Sequence, residues 1–106
     1  MFDMYTKFMH NISMIRGFAD KETEKVYNQT FSSKLPQNIQ RIALRKLIMI
    51  DNAKNLNDLR IPPANHLEKL IGDRAGKHSI RINGQYRIVF TYYDGDFYDV
   101  CIEDYH

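Results

Sequence analysis

Apolar residues recur at two different periods along this chain, and the change of period divides it. From Pro36 to Ala53 the spacing is helical. Ile39, Ile42, Ala43, Leu47, Ile50 and Ala53 fall on one face, Leu44, Ile48 and Met49 widen it, and Gln40, Arg41, Arg45 and Lys46 take the opposite side. This predicts a core-packing helix with a solvated charged face, starting at Pro36, which a first helical turn tolerates. A shorter helix is expected to begin after Asp20, a good N-cap followed by the acidic first-turn residues Glu22 and Glu24, with Val26, Tyr27 and Phe31 facing inward. Beyond Pro62-Pro63, which demand extended backbone and exclude helix, the period falls to two. Strands are expected at about 67–71, 78–83, 86–92 and 97–102. The turn 72–76 joins the first pair, Asn83-Gly84 marks a tight hairpin, and Asp94-Gly95-Asp96 marks a second one. Met14 to Phe18 reads as a further short strand. Two helices followed by an antiparallel meander predict an α+β domain, with both helices on one face of a mainly antiparallel sheet of four to five strands.

Alternation sorts the strand side chains. Ile80, Ile82, Ile88 and Phe90 point to the core, which sends Ser79, Arg81 and Arg87 to the outer face. Val100 and Ile102 share their parity with Asp104 and His106, so those polar residues either lie just past the packed region or follow a bend. The chain has 106 residues, which makes one domain the default. Residues 1–13, with a weak helical pattern at Phe2, Tyr5, Met9 and Ile12, read as an N-terminal extension on a body spanning 14–106; they lack the apolar run of a signal peptide. A single cysteine, Cys101, excludes an internal disulfide and a cysteine-rich zinc site, and it reads as a small buried residue in a reducing, cytoplasmic setting. Four scattered histidines make no metal-ligand spacing, so no metal or cofactor is expected; His66 and His78 read as surface or capping residues. No stretch is apolar for long enough to cross a bilayer.

The net charge of +2 is uninformative, but its distribution is not. Residues 60–87 hold six Lys or Arg against two Asp or Glu, whereas residues 94–106 hold five Asp or Glu and no Lys or Arg. The bland reading, lysines and arginines on the wet side of a sheet, stands beside a sharper one: a cationic face that binds phosphates. Metal-free cleavage of an RNA phosphodiester needs a base for the 2′-hydroxyl proton, cations for the charged phosphorane and an acid for the departing 5′-oxygen. His106 is the candidate acid or base, and Asp104 the group that orients it. Tyr105 could stack on a base. Arg87 and Arg81 are candidate phosphate clamps, and Lys69, Arg74 and Lys77 could hold flanking phosphates, with Asp73 beside Arg74 reading as turn chemistry and a local ion pair.

These residues also carry a family resemblance. Leu59 to Leu70 (L-R-I-P-P-A-N-H-L-E-K-L), Gly72 to Gly76 (G-D-R-A-G), Ser79 to Asn83 (S-I-R-I-N), Gln85 to Ile88 (Q-Y-R-I) and the closing Glu103-Asp104-Tyr105-His106 resemble the HigB toxins, the plasmid-maintenance branch of the RelE/ParE superfamily. The resemblance runs from about Met14 to the C-terminus. It implies a compact microbial-ribonuclease-like fold and a toxin that cuts translated mRNA in the A site of the 70S ribosome. It also implies neutralisation by a HigA-like helix-turn-helix antitoxin, through which the pair would reach operator DNA. Arg87 falls where the family places a phosphate-contacting arginine, and Asp104, Tyr105 and His106 fall where it places its catalytic C-terminal group. Where some relatives carry a lysine directly before the Gly-Asp-Arg turn this chain has Ile71, and Lys69 is the candidate replacement. Two other readings remain open at this level: a same-fold toxin that poisons gyrase, and a noncatalytic RNA- or partner-binding module. The acid/base ending speaks against the first, because gyrase binding has no need of it.

Overall fold

In the computed structural model, which describes residues 13–105, two helices cover one face of a four-stranded antiparallel sheet. Helix α1 spans Lys21–Tyr27 and helix α2 spans Gln37–Asp51. Strands β1 (Glu68–Lys69), β2 (Lys77–Arg81), β3 (Tyr86–Tyr93) and β4 (Asp96–Asp104) lie in the order in which they occur. The patterned part of residues 1–13 falls outside the described residues. Ser13, the first described, donates to the Asp51 carboxylate at the end of α2.

Asp20 caps α1 by accepting from the Thr23 amide at 2.9 Å, as its position ahead of the acidic turn predicts. The helix ends sooner than the apolar spacing suggests. Asn28 closes it, and Gln29 is left-handed at φ 62°, so Phe31 leaves the helical register and stands 61% exposed instead of facing the core. In α2 the stripe of Ile39, Ala43, Leu47 and Ile50 is buried as expected, but Lys46 is buried with it at 8% exposure, while Ile48 is exposed. Lys46 follows Ile39 by seven residues, nearly two full turns, and so shares its face rather than the solvated one.

Pro62 is extended, yet Pro63 opens a short 3-10 turn, Pro63–Asn65, which corrects the expectation that the proline pair excludes helical backbone of any kind. Pro63 stands at the first helical position, where its missing N–H costs nothing. A second such turn, Leu56–Arg60, precedes it, and a third, Gly72–Arg74, lies between β1 and β2. In the β3–β4 turn Asp94 (φ 50°) and Gly95 (φ 87°) are both left-handed, the requirement of the two-residue hairpin that Asp-Gly favours. The β2–β3 connection is wider. There the Asn83 side chain holds the loop by accepting from the amides of Gln85 and Tyr86, each at 2.8 Å.

Even-numbered positions of β2 and β3 face the helices: Ile80, Ile88 and Phe90, with Ile82 just past β2, are buried against Val26, Ile39, Ala43, Leu47 and Ile50. In β4 the pairing slips between Val89↔Cys101 and Thr91↔Tyr98, with Asp99 left-handed at φ 52°. This bulge lets Phe97, an odd position, share the core face with Val100 and Ile102. The outer edge of β4 is closed by 15–18. That segment forms parallel bridges Ile15↔Phe97 and Phe18↔Val100 rather than a full fifth strand, and its backbone bonds include Arg16 N–H to the Phe97 carbonyl at 2.7 Å.

Cys101 lies on the outer face of β4 opposite Val89, half-buried, its Sγ 3.6 Å from an Asp20 carboxylate oxygen. Burial first, then the negative charge of Asp20, pushes the thiol up to about 12. The thiolate fraction at pH 8 is then lower than that of an ordinary thiol by about three powers of ten. Labelling with a thiol-specific disulfide reagent at pH 8 is expected to be slower by roughly that factor than in denatured protein; equal rates would refute the assignment.

Candidate active site

The helices cover only one face of the sheet; Arg87 is at the centre of the other, beside the buried Ser79 and Val89. It extends from β3 opposite Arg81 of β2 and Glu103 of β4. The residue is 8% exposed and its side chain tightly held. Nε donates to Ser79 Oγ at 2.7 Å. Nη2 donates to the backbone carbonyl of His66 and approaches the Ser79 carbonyl at 3.4 Å and a Glu68 carboxylate oxygen at 3.9 Å. The ring of Tyr105 stands 5.8 Å from the guanidinium carbon, a cation–π contact, and the Tyr105 amide donates to the Gln85 carbonyl at 2.6 Å. A planar cation is therefore oriented before any ligand arrives, which is the condition under which a charge stabilises a transition state without reorganising.

Around this centre the sheet sorts the remaining candidates. Arg81 is half-buried at the cross-strand position. Arg74 does not pair with neighbouring Asp73. It crosses to Glu103, where its Nη2 donates to both carboxylate oxygens at 2.8 Å each, and that hydrogen bond pushes its pKa up. Lys77 lies further along the same face and donates to Thr91 Oγ1 at 3.2 Å. Lys69 is not brought to this group. Its register partner is His78, on the helix-side face, whereas Glu68 pairs with Ser79 on the Arg87 face. His78 is half-buried and stacks on Phe90 at 6.3 Å, not a surface residue as expected; its pKa is lowered by burial and then by the charge of Lys69. His66 is an exposed cap, as expected, left-handed at φ 44°.

Parity separates the closing residues. Asp104 pairs with Tyr86 on the side of Ile102, exposed past the core, and accepts from Gln85 Nε2 at 3.1 Å. Tyr105 turns to the Arg87 side. His106 lies outside the described residues. The sequence reading missed Glu68, a 54% exposed carboxylate beside the guanidinium, and missed Ser79 and the His66 carbonyl as its supports. The β1–β2 register would have revealed Glu68: its partner Ser79 was already assigned to the outer face.

An antiparallel sheet backed by two helices on one face is also the fold of a solved structure. The chain superposes on a chain of the YoeB–YefM complex from Staphylococcus aureus with a TM-score of 0.56 at 24% identity, covering 87% of this chain and 94% of that one. The family follows from sequence comparison: residues 16–106 match the model of the HigB-like toxins, described as RelE-like toxins of type II toxin–antitoxin systems of the HigB kind. The chain is 43% identical over 83 residues to toxin HigB-1 of Vibrio cholerae, covering 77% of this chain and 87% of that protein. It is 35% identical over 94 residues to the endoribonuclease HigB of Proteus vulgaris, covering 88% of this chain and 100% of that protein. An uncharacterized Haemophilus influenzae protein is 50% identical over 60 residues, which span 57% of this chain and 59% of that protein. This chain belongs to the HigB-like toxin family.

Proposed function

We propose that this toxin is an endoribonuclease that cleaves translated mRNA in the ribosomal A site and so arrests growth. The observation that carries the proposal is the prearranged guanidinium of Arg87 on the sheet face away from the helices, flanked by the Tyr105 ring and the exposed Glu68 carboxylate. The Proteus vulgaris relative's name, an endoribonuclease, supports the same reading. In the proposed step the 2′-oxygen attacks phosphorus and the P–O5′ bond breaks, leaving a 2′,3′-cyclic phosphate and a 5′-hydroxyl. Glu68 takes the 2′-hydroxyl proton, Arg87 stabilises the extra negative charge of the phosphorane, and His106 protonates the leaving 5′-oxygen. Tyr105 stacks on a base next to the scissile bond, and Arg81, Arg74 and Lys77 attract the flanking phosphates. Lys69 would contact RNA only beyond the sheet edge. No described helix is long and apolar enough to cross a membrane.

The partner proposed for this chain is a HigA-like helix-turn-helix antitoxin that carries the pair to operator DNA; the structural neighbour named above is a YoeB–YefM complex. Induced expression of the wild type and of His106→Ala, with mapping of new mRNA 5′ ends, tests the reading. Growth arrest with cleavage inside translated codons is expected for the wild type and not for the variant. Arrest by the wild type without new ends would overturn the nuclease.

A further inference from the structure

Lys46 is a cation in a place that disfavours one. It projects from the buried face of α2, and burial, then the charges of Arg45 and Arg81, lower its pKa. Among the described residues no carboxylate lies within ion-pair distance of it. Its ammonium donates to Asn65 Oδ1 instead. A lone buried ammonium costs stability unless its hydrogen bond secures something else. Asn65 indicates what that is. It is fully buried, and its Nδ2 donates to the Leu59 carbonyl at 3.0 Å and reaches the Ile61 carbonyl at 3.5 Å. One amide side chain thus closes the loop between α2 and β1 on itself, and Lys46 fixes that amide to the helix layer.

The next residue in the chain is His66, left-handed at φ 44°, and its carbonyl accepts from Arg87 Nη2. A continuous set of contacts therefore runs around the sheet edge, from α2 through Lys46, Asn65 and the His66 carbonyl to the guanidinium. Ser79 holds the Nε side of Arg87, and this loop holds the Nη2 side. We propose that Lys46 and Asn65 form a latch that positions the Arg87 guanidinium for phosphorane stabilisation through the His66 carbonyl. Both are positioning residues: neither reaches the open face where RNA would bind. This inference rests on the cleavage reading above, but the geometry it predicts does not.

The test is Lys46→Met, which keeps an unbranched side chain only one atom shorter and removes the donor. Asn65→Asp serves beside it, since it keeps the acceptor for Lys46 and loses the Nδ2 bonds to the Leu59 and Ile61 carbonyls and to the Met49 sulfur. Two quantities are read in the full-length protein. One is the Nε–Hε NMR resonance of Arg87, protected from exchange by its bond to Ser79. The other is cleavage of a ribosome-bound mRNA, as maximal rate and half-saturating concentration. The expected result is a shifted, faster-exchanging Arg87 resonance with a maximal rate at least about tenfold lower at unchanged half-saturation, because a misplaced group costs rate rather than binding. Lys46→Arg, which restores a donor, recovers most of both. Tyr27→Phe, which removes a remote bond to Asp51 of 2.5 Å, lowers stability without moving either readout. A Lys46→Met protein that melts earlier but keeps the Arg87 resonance or the maximal rate of the wild type overturns the latch. Should the wild type cleave no RNA, the cleavage reading fails, and the Arg87 resonance alone decides whether the latch exists.

Discussion

Replacing Arg87 by Lys is expected to lower mRNA cleavage by about two to three powers of ten, the usual cost of losing one prearranged donor to a transition-state oxyanion. The charge is retained, so a simple phosphate attractant would tolerate the change. The structure says otherwise. Arg87 uses Nε on Ser79 and Nη2 on the His66 carbonyl, and its plane stands against Tyr105. An ammonium is a point charge with no plane to be held and no second edge to present. Arg87→Ala is expected to abolish cleavage and also to leave the Ser79 hydroxyl and the His66 carbonyl without their partner, at about 1–3 kcal/mol for each buried group left unsatisfied. The lysine variant therefore separates chemistry from folding. Single-turnover cleavage of ribosome-bound mRNA, with circular dichroism melting of the same sample, checks both. An Arg87→Lys protein within threefold of wild-type rate would remove the guanidinium from the mechanism.

The strands and the longer helix were legible in the sequence because each has a strong period, and the period alone assigns faces. Ile80, Ile88 and Arg87 lie where alternation puts them. Errors arise where the period breaks locally. Phe31 follows a left-handed Gln29, so helical counting carried past the cap fails. The charge of Lys46 suggests the solvated face, but its spacing from Ile39 places it inside. Phe97 and Val100 both reach the core only because of the bulge at Asp99, a conformation that an aspartate permits but does not announce.

The site was legible in part, for the same reason. Arg87, Arg81 and Tyr105 share one face through strand parity and register. Glu68 and Lys69 are neighbours in sequence on opposite faces of β1, and choosing between them needed the register with β2, which two residues of strand do not reveal. The partner of Arg74 is 29 residues away on β4, beyond the reach of local rules that favour adjacent Asp73. A backbone carbonyl such as that of His66 has no signature in sequence at all.

Phe97→Ala is expected to cost about 3–5 kcal/mol of folding stability, the usual range for emptying a buried aromatic position. The ring is fully buried, edge-on to Phe90 at 5.2 Å and tilted against Tyr92 at 5.0 Å. The backbone around it is fixed on both sides: its amide donates to the Met14 carbonyl at 2.8 Å, and its carbonyl accepts from Arg16 at 2.7 Å. With both strands held, the site collapses poorly, which favours the upper part of the range. For a domain whose net stability is of the order of 5–15 kcal/mol this is a large share, and the melting temperature should fall by roughly 15–30 °C. Tyr93→Ala, at an exposed ring four residues upstream, should change stability by less than about 0.5 kcal/mol. Urea denaturation of the three proteins measures both differences, and a Phe97→Ala loss no larger than that of Tyr93→Ala would contradict the packing. The same variant also separates fold from chemistry. Arg87, Ser79 and Tyr105 do not touch the cavity it creates, so below its melting transition each folded molecule should cleave at the wild-type rate, whereas Arg87→Lys should be slow at every temperature.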